Sequence, residues 1–225
     1  MERFLFSGGD QVRTKICGVT TESQADAIID LGVDALGFNF WPKSKRFLDP
    51  ANADWLKNLA GRTLRIGVFV NADKETLTEL LEKNFIDWAQ LHGDETPEFV
   101  AELQNLGLNV FKALGVKNRD SLALAARFEG PLLLDAYAPT EYGGSGEQMD
   151  WALGAEAVKQ FYDREVVLAG GLNPGNVGSA IAQVHPAGVD VASGVEVSPG
   201  IKDLERCRQF IENSRHFFNT SSTGQ

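Results

Sequence analysis

LRIGVFVNADKETLTELLEKNFIDWAQLHGDETPEFVAELQNLGLNVFKAL, residues 64–114, holds two turns of one repeating pattern. Apolar runs LRIGVFV (64–70), DWAQLH (87–92) and NVFKAL (109–114) alternate with KETLTELLEKN and PEFVAELQNLG, whose apolar residues recur three or four apart. That is strand, helix, strand, helix, strand. Outward from it, the same rhythm takes in RTKIC (13–17), DALGFNF (34–40), PLLLDA (131–136), VVLAGG (166–171) and VDVASG (189–194), with ESQADAIIDLG and DLERCRQFIENSRHFF among the helical stretches. Thr96-Pro97, Asp49-Pro50 and Asn173-Pro174 read as N-caps followed by proline at the first helical position, and Gly32 and Gly107 as helix ends. The count is eight strands and eight helices in strict βα order. Near-continuous apolar strands imply a parallel sheet covered by helices. Eight such units in 225 residues fit an α/β fold of the (β/α)8 TIM-barrel type, a single domain, better than an open doubly wound sheet. The barrel is expected over residues 13–217, between an N-terminal extension (1–12) and a polar C-terminal tail (218–225). The glycine-rich stretch after the sixth strand, within 137–150, is long for a βα connection and reads either as a lid or as an insertion.

The composition narrows the function. A net charge of −10 argues against a nucleic-acid partner, which needs a basic stripe. An anionic substrate would have to be attracted by a local positive site, because the field of the whole chain repels it. No apolar run is long enough to span a membrane and no secretory leader is evident, so a cytoplasmic enzyme without membrane partner is expected. Cys17 and Cys207 are far apart and outside any CxxC spacing, and His92, His185 and His216 are scattered, so no metal is expected. Neither a dinucleotide nor a nucleotide phosphate fingerprint is present.

In a barrel, chemistry sits at the C-terminal strand ends. That rule selects Lys15, Cys17, Asn39, Gln90, His92, Lys112, Asp135, Gly170, Gly171, Asp190, Ser193 and Gly194. Alternation puts Lys15 and Cys17 on one face, and Gln90 and His92 on one face. A lysine is a poor neighbour for apolar helices, so the Lys15 face should be the barrel interior, with Cys17 at its mouth. Cys17 is either a packed small hydrophobe or a base whose thiol Lys15 pulls toward thiolate. Asp135, after three leucines, is either a loop cap or a carboxyl group raised by apolar surroundings and suited to act as an acid. LAGGLNPGN and VDVASGVEVSPG follow the seventh and eighth strands, where barrels bind phosphate on backbone N–H groups. WPKSKRF brings Lys43, Lys45 and Arg46 to the same end, with Arg46 best suited to a carboxylate.

KICG (15–18), DALGF…F…SKR (34–46), GVFVN (67–71), QLHGDE (90–95), LLLDA (132–136), GGSG…DW (143–151), LAGGLNPGNV (168–177) and DVASGVE…PGIKD (190–203) together resemble the phosphoribosylanthranilate isomerase family of tryptophan biosynthesis. The resemblance implies an Amadori rearrangement of N-(5-phosphoribosyl)anthranilate to a carboxyphenylamino-deoxyribulose phosphate, with no cofactor and no metal, by a monomer or homodimer. It implies Asp135 as general acid and Cys17 as general base. It further implies that Arg46 meets the anthranilate carboxylate, that Gln90, His92 and Asp190 line the substrate pocket, and that Gly171, Ser193 and Gly194 cradle the phosphate. Lys45 stands where the family usually has proline, and Ala192 where serine is frequent.

Overall fold

The computed structural model describes residues 11–137 and 148–219. Eight parallel strands close into a barrel: β1 (Arg13–Cys17), β2 (Ala35–Asn39), β3 (Leu64–Phe69), β4 (Trp88–Leu91), β5 (Val110–Val116), β6 (Leu132–Ala136), β7 (Val166–Leu168) and β8 (Gly188–Val191). β1 closes on β8 in register, Lys15 opposite Asp190 and Ile16 opposite Val191. Outside the barrel, among the described residues, lie α1 (Glu22–Asp30), α2 (Lys74–Glu82), α3 (Pro97–Asn105), α4 (Arg119–Ala125), α5 (Trp151–Gln160), α6 (Val177–Val184) and α7 (Leu204–Asn219). Most of the extension, the loop residues 138–147 and residues 220–225 lie outside the described part, so the lid reading of 137–150 falls largely there.

Strand alternation sorts the apolar residues into two layers. Ile16, Leu36, Phe38, Leu91 and Leu134 face the helices, together with Ile28, Leu77, Val100 and Ile181 from the helices themselves. Ala35, Ile66, Trp88, Phe111, Leu133 and Val167 fill the barrel. The Trp88 and Phe111 rings meet edge to face, 6.1 Å between centroids, inside that filling. The polar residues of the C-terminal strand ends stand above it.

The helix ends follow the caps read from sequence, with two exceptions. Thr96 Oγ1 accepts the Phe99 N–H ahead of Pro97, and α1 and α3 stop just before Gly32 and Gly107. The expected second helix is instead a pair of 3-10 turns, Pro50–Asn52 and Asp54–Leu59, although Asp49 caps the first as expected. Its buried residues Ala53, Leu56 and Leu59 are spaced by three, the period of a 3-10 helix rather than of an α-helix. Asn173-Pro174 does not open a helix either. Asn173 Oδ1 accepts the Gly175 N–H and its carbonyl the Val177 N–H, so a turn occupies 173–176 and α6 starts at Val177. Beyond β8, where the sequence reading continued the strand, Ser193–Val195 form a 3-10 turn, followed by a hairpin of β9 (Glu196–Ser198) and β10 (Ile201–Lys202).

Candidate active site

At the C-terminal end of the barrel lies a cavity of about 530 Å³, lined among others by Cys17, Arg46, Gln90, His92, Asp135 and Asp190. Its volume suits a single small organic ligand. The strand parity argument holds: Lys15, buried, sits beneath Cys17, and its ammonium meets Asp190 Oδ1 at 2.9 Å across the β1–β8 seam. Cys17 ends β1 and faces β2 at Gly37, where a Cβ would stand 2.7 Å from the sulfur and 3.0 Å from Lys15 Nζ.

The thiol does not respond to Lys15 as the sequence suggests. Its pKa is raised: burial outweighs the attraction of Lys15, and the Asp190 carboxylate adds to the rise. Lys15, although paired with Asp190, is still the strongest pull lowering the thiol, but it falls short of the cost of burial.

Asp135 is the last residue but one of β6, which β7 and β8 separate from β1. Burial pushes its carboxyl up to about 7, against a hydrogen bond from the Ala136 N–H to Oδ1 that pulls the other way, with Asp190 adding to the rise. Because Oδ1 already accepts, the proton of the acid form belongs on Oδ2. His92 Nε2 lies 3.7 Å from that oxygen, beyond hydrogen-bond range. Burial, with Lys112 and Lys15 nearby, depresses the imidazole to about 3, so His92 is neutral and the approach is not an ion pair. Gln90 is 2% exposed and its Oε1 has no hydrogen-bond partner among the described residues. An acceptor left unpaired at this depth is costly unless a ligand donates to it.

Gly171 and Ser193 line a smaller recess of about 40 Å³ that also reaches Asp135 and Asp190. Gly194 is not in that lining. It lies where a Cβ would stand 2.0 Å from the Leu172 carbonyl, so it lets the loops after β7 and β8 touch.

Two charged pairings escaped the sequence reading. The first is Lys112 with Glu95. Lys112 Nζ donates to Glu95 Oε2 at 2.7 Å and to the carbonyls of Leu91 and Gly93, while Glu95 accepts the N–H groups of Asn71 and Gly93. Lys112 stood among the strand-end candidates, but parity turns it away from Phe111 and Ala113 to the back of the barrel wall. The knot ties the ends of β3 and β4 to the body of β5. Lys112→Met strands a buried carboxylate, and we expect urea unfolding to register a loss of about 3–5 kcal/mol.

The second is Glu196 with Lys202. Glu196 holds Arg46 by two bonds, Nε to Oε1 at 2.8 Å and Nη2 to Oε2 at 2.7 Å, and holds Lys202 Nζ through Oε1 at 2.8 Å. The only sequence signal was a glutamate between two valines with a lysine after the turn, read as part of a glycine-rich loop. Arg46 thus reaches the cavity already gripped by a carboxylate. Its stem crosses Gly18, whose φ is +80° and where a Cβ would stand 2.3 Å from Arg46 Cδ. The pairing of Arg46 and Lys202 with one Glu196 leaves a local positive balance on an otherwise acidic chain.

Residues 14–213 match the family model described as N-(5'phosphoribosyl)anthranilate (PRA) isomerase. An N-(5'-phosphoribosyl)anthranilate isomerase of Thermotoga petrophila is 43% identical over 206 residues, 91% of this chain and 98% of its own length. The crystal structure of phosphoribosyl anthranilate isomerase from Thermotoga maritima superposes with a TM-score of 0.82 at 39% identity, covering 91% of this chain and 98% of that one. A second isomerase structure, in complex with reduced 1-(o-carboxyphenylamino)-1-deoxyribulose 5-phosphate, gives 0.78 at 38% identity, with coverage of 91% and 98%.

Proposed function

The chain belongs to the N-(5'-phosphoribosyl)anthranilate isomerase family, and from that premise we propose that Asp135 is the general acid and Cys17 the general base of its reaction. The activity is the isomerisation of N-(5-phosphoribosyl)anthranilate to 1-(2-carboxyphenylamino)-1-deoxyribulose 5-phosphate in tryptophan biosynthesis. The observation that carries the assignment is geometric. A carboxyl group raised to about 7 and a thiol, both lining one cavity, can each take the protonation state that an acid and a base need.

Asp135 Oδ2 gives its proton to the ribose ring oxygen. The C1′–O bond breaks and the nitrogen lone pair closes the iminium. The Cys17 thiolate then takes the proton from C2′, and the C–H electron pair neutralises the iminium to an enol-amine. A proton delivered to C1′ and one lost from the 2′-hydroxyl complete the ketone. Nothing is oxidised or reduced overall. Lys15 and Asp190 stand under the sulfur and keep its surroundings polar. Gln90 Oε1 offers an acceptor for a substrate hydroxyl.

Arg46 takes the anthranilate carboxylate, and Gly171 and Ser193, with Gly194 holding their loops together, take the phosphate. The free thiols of Cys17 and Cys207 support a reducing, cytoplasmic location. Among the described residues no helix is long and apolar enough to cross a membrane. Purified protein without added metal should consume the anthranilate-linked ribose phosphate, followed by the loss of aryl fluorescence. Absence of turnover in folded protein would sink the reading. Gly18→Ala forces a methyl group into the Arg46 stem at a left-handed backbone position. Loss of one charged hydrogen bond to the carboxylate, about 1.5–3 kcal/mol, should raise KM roughly ten- to a hundred-fold in steady-state kinetics.

A further inference from the structure

The pairing between β1 and β8 stops at Ile16 and Val191, one residue short of Cys17. At the next rung no strand partner holds the Cys17 carbonyl on that side. Lys202 Nζ, buried, takes the place of the missing rung and donates to the carbonyls of Cys17 and Ala192. Its third proton goes to Glu196 Oε1, so all three donors of the ammonium are used. The same Oε1 also accepts from Arg46 Nε and, at 3.2 Å, from the Gly200 N–H. The hairpin is itself fastened from outside: Lys202 N–H donates to Gln24 Oε1 on α1, and Arg206 on α7 donates to the Glu196 carbonyl.

A buried ammonium and carboxylate need no place here for folding alone, because an apolar pair of similar volume is commonly as stable. What this pair does that an apolar pair could not is join the backbone of Cys17 to the guanidinium of Arg46 through one carboxylate. We propose that Lys202 and Glu196 are positioning residues of the isomerisation: Lys202 fixes the stand of Cys17 by holding its carbonyl, and Glu196 fixes that ammonium and Arg46 relative to each other. The proposal rests on the reading of Cys17 as the base. The charged groups that face the sulfur are Lys15 on its own strand, Asp190 on β8 and Lys202 on β10. Of these, Lys202 pulls the thiol down against burial, so its removal should raise the thiol further.

Lys202→Met is the test, alongside Cys17→Ala. A base displaced by about 1 Å can lose on the order of a hundred-fold in rate, so kcat should fall by about that factor with KM changed far less. Alkylation of Cys17 by iodoacetamide should shift its midpoint to higher pH. Glu196→Gln, which keeps the volume, should both lower kcat and raise KM, because it loosens Lys202 and Arg46 together. Folded Lys202→Met with kcat within two-fold of the parent and an unmoved alkylation midpoint overturns the proposal. Should Lys202→Met not fold, parental kcat and KM in Glu196→Gln overturn it equally. The two failures are separable: an active Cys17→Ala removes the base assignment, whereas an inactive Cys17→Ala beside parental Lys202→Met removes only the positioning role.

Discussion

Asp135→Asn should lower kcat by about 10²–10⁴-fold, the usual worth of a general acid, while KM moves only a few-fold. The amide keeps the shape of the carboxyl group and can still meet the Ala136 N–H through Oδ1. It has no proton to give to the ring oxygen. The pH profile separates this from a structural loss. The proposed roles require Asp135 protonated and Cys17 ionised in the parent, yet burial pushes the carboxyl up to about 7 and raises the thiol above its ordinary value. The acid therefore starts to lose its proton before the base has lost its own. The productive form is a minority whose share rises up to about pH 7, stays level, and falls once pH passes the thiol's pKa. In Asp135→Asn the rate should follow thiolate alone, rising through the neutral range with no decline at high pH. An unchanged parental profile in the variant would remove Asp135 from the chemistry.

Cys17→Ala should cost a comparable factor, about 10²–10⁴ in kcat, because the thiolate proposed to take the proton from C2′ is gone. Cys17→Ser should do little better, since a hydroxyl is far harder to ionise than a thiol. The double variant with Asp135→Asn should be scarcely slower than either single one, as expected of groups that act in one sequence. Steady-state turnover of the three variants checks this. Full activity in Cys17→Ala would return the thiol to a packing role.

The barrel was legible because its signals are local and repeated. Alternation placed Lys15 with Cys17 on the inner face and Gln90 with His92 on a shared face, and the strand-end rule brought Asp135 and Asp190 to the same mouth. What stayed hidden depends on pairing across the chain. Glu196 lies far along the sequence from Arg46, and nothing local to either announces the contact. The thiol's pKa was misread for a related reason: the reading counted Lys15, a neighbour in sequence, but could not weigh the burial of the sulfur or the Asp190 carboxylate that β8 brings beside it. The second helix rested on its Asp49-Pro50 cap, which opens a 3-10 turn equally well.

Gly37 on β2 contributes no functional group, yet a methyl group there would press on both the sulfur and the ammonium beneath it. The strand beside the nucleus of the site is thus a mould for it. Anyone transplanting the proposed acid and base onto another eight-stranded scaffold must carry over an empty volume on the adjacent strand as well as the two side chains. Conversely, the smallest possible addition to an apparently idle neighbour would be enough to switch such a transplant off.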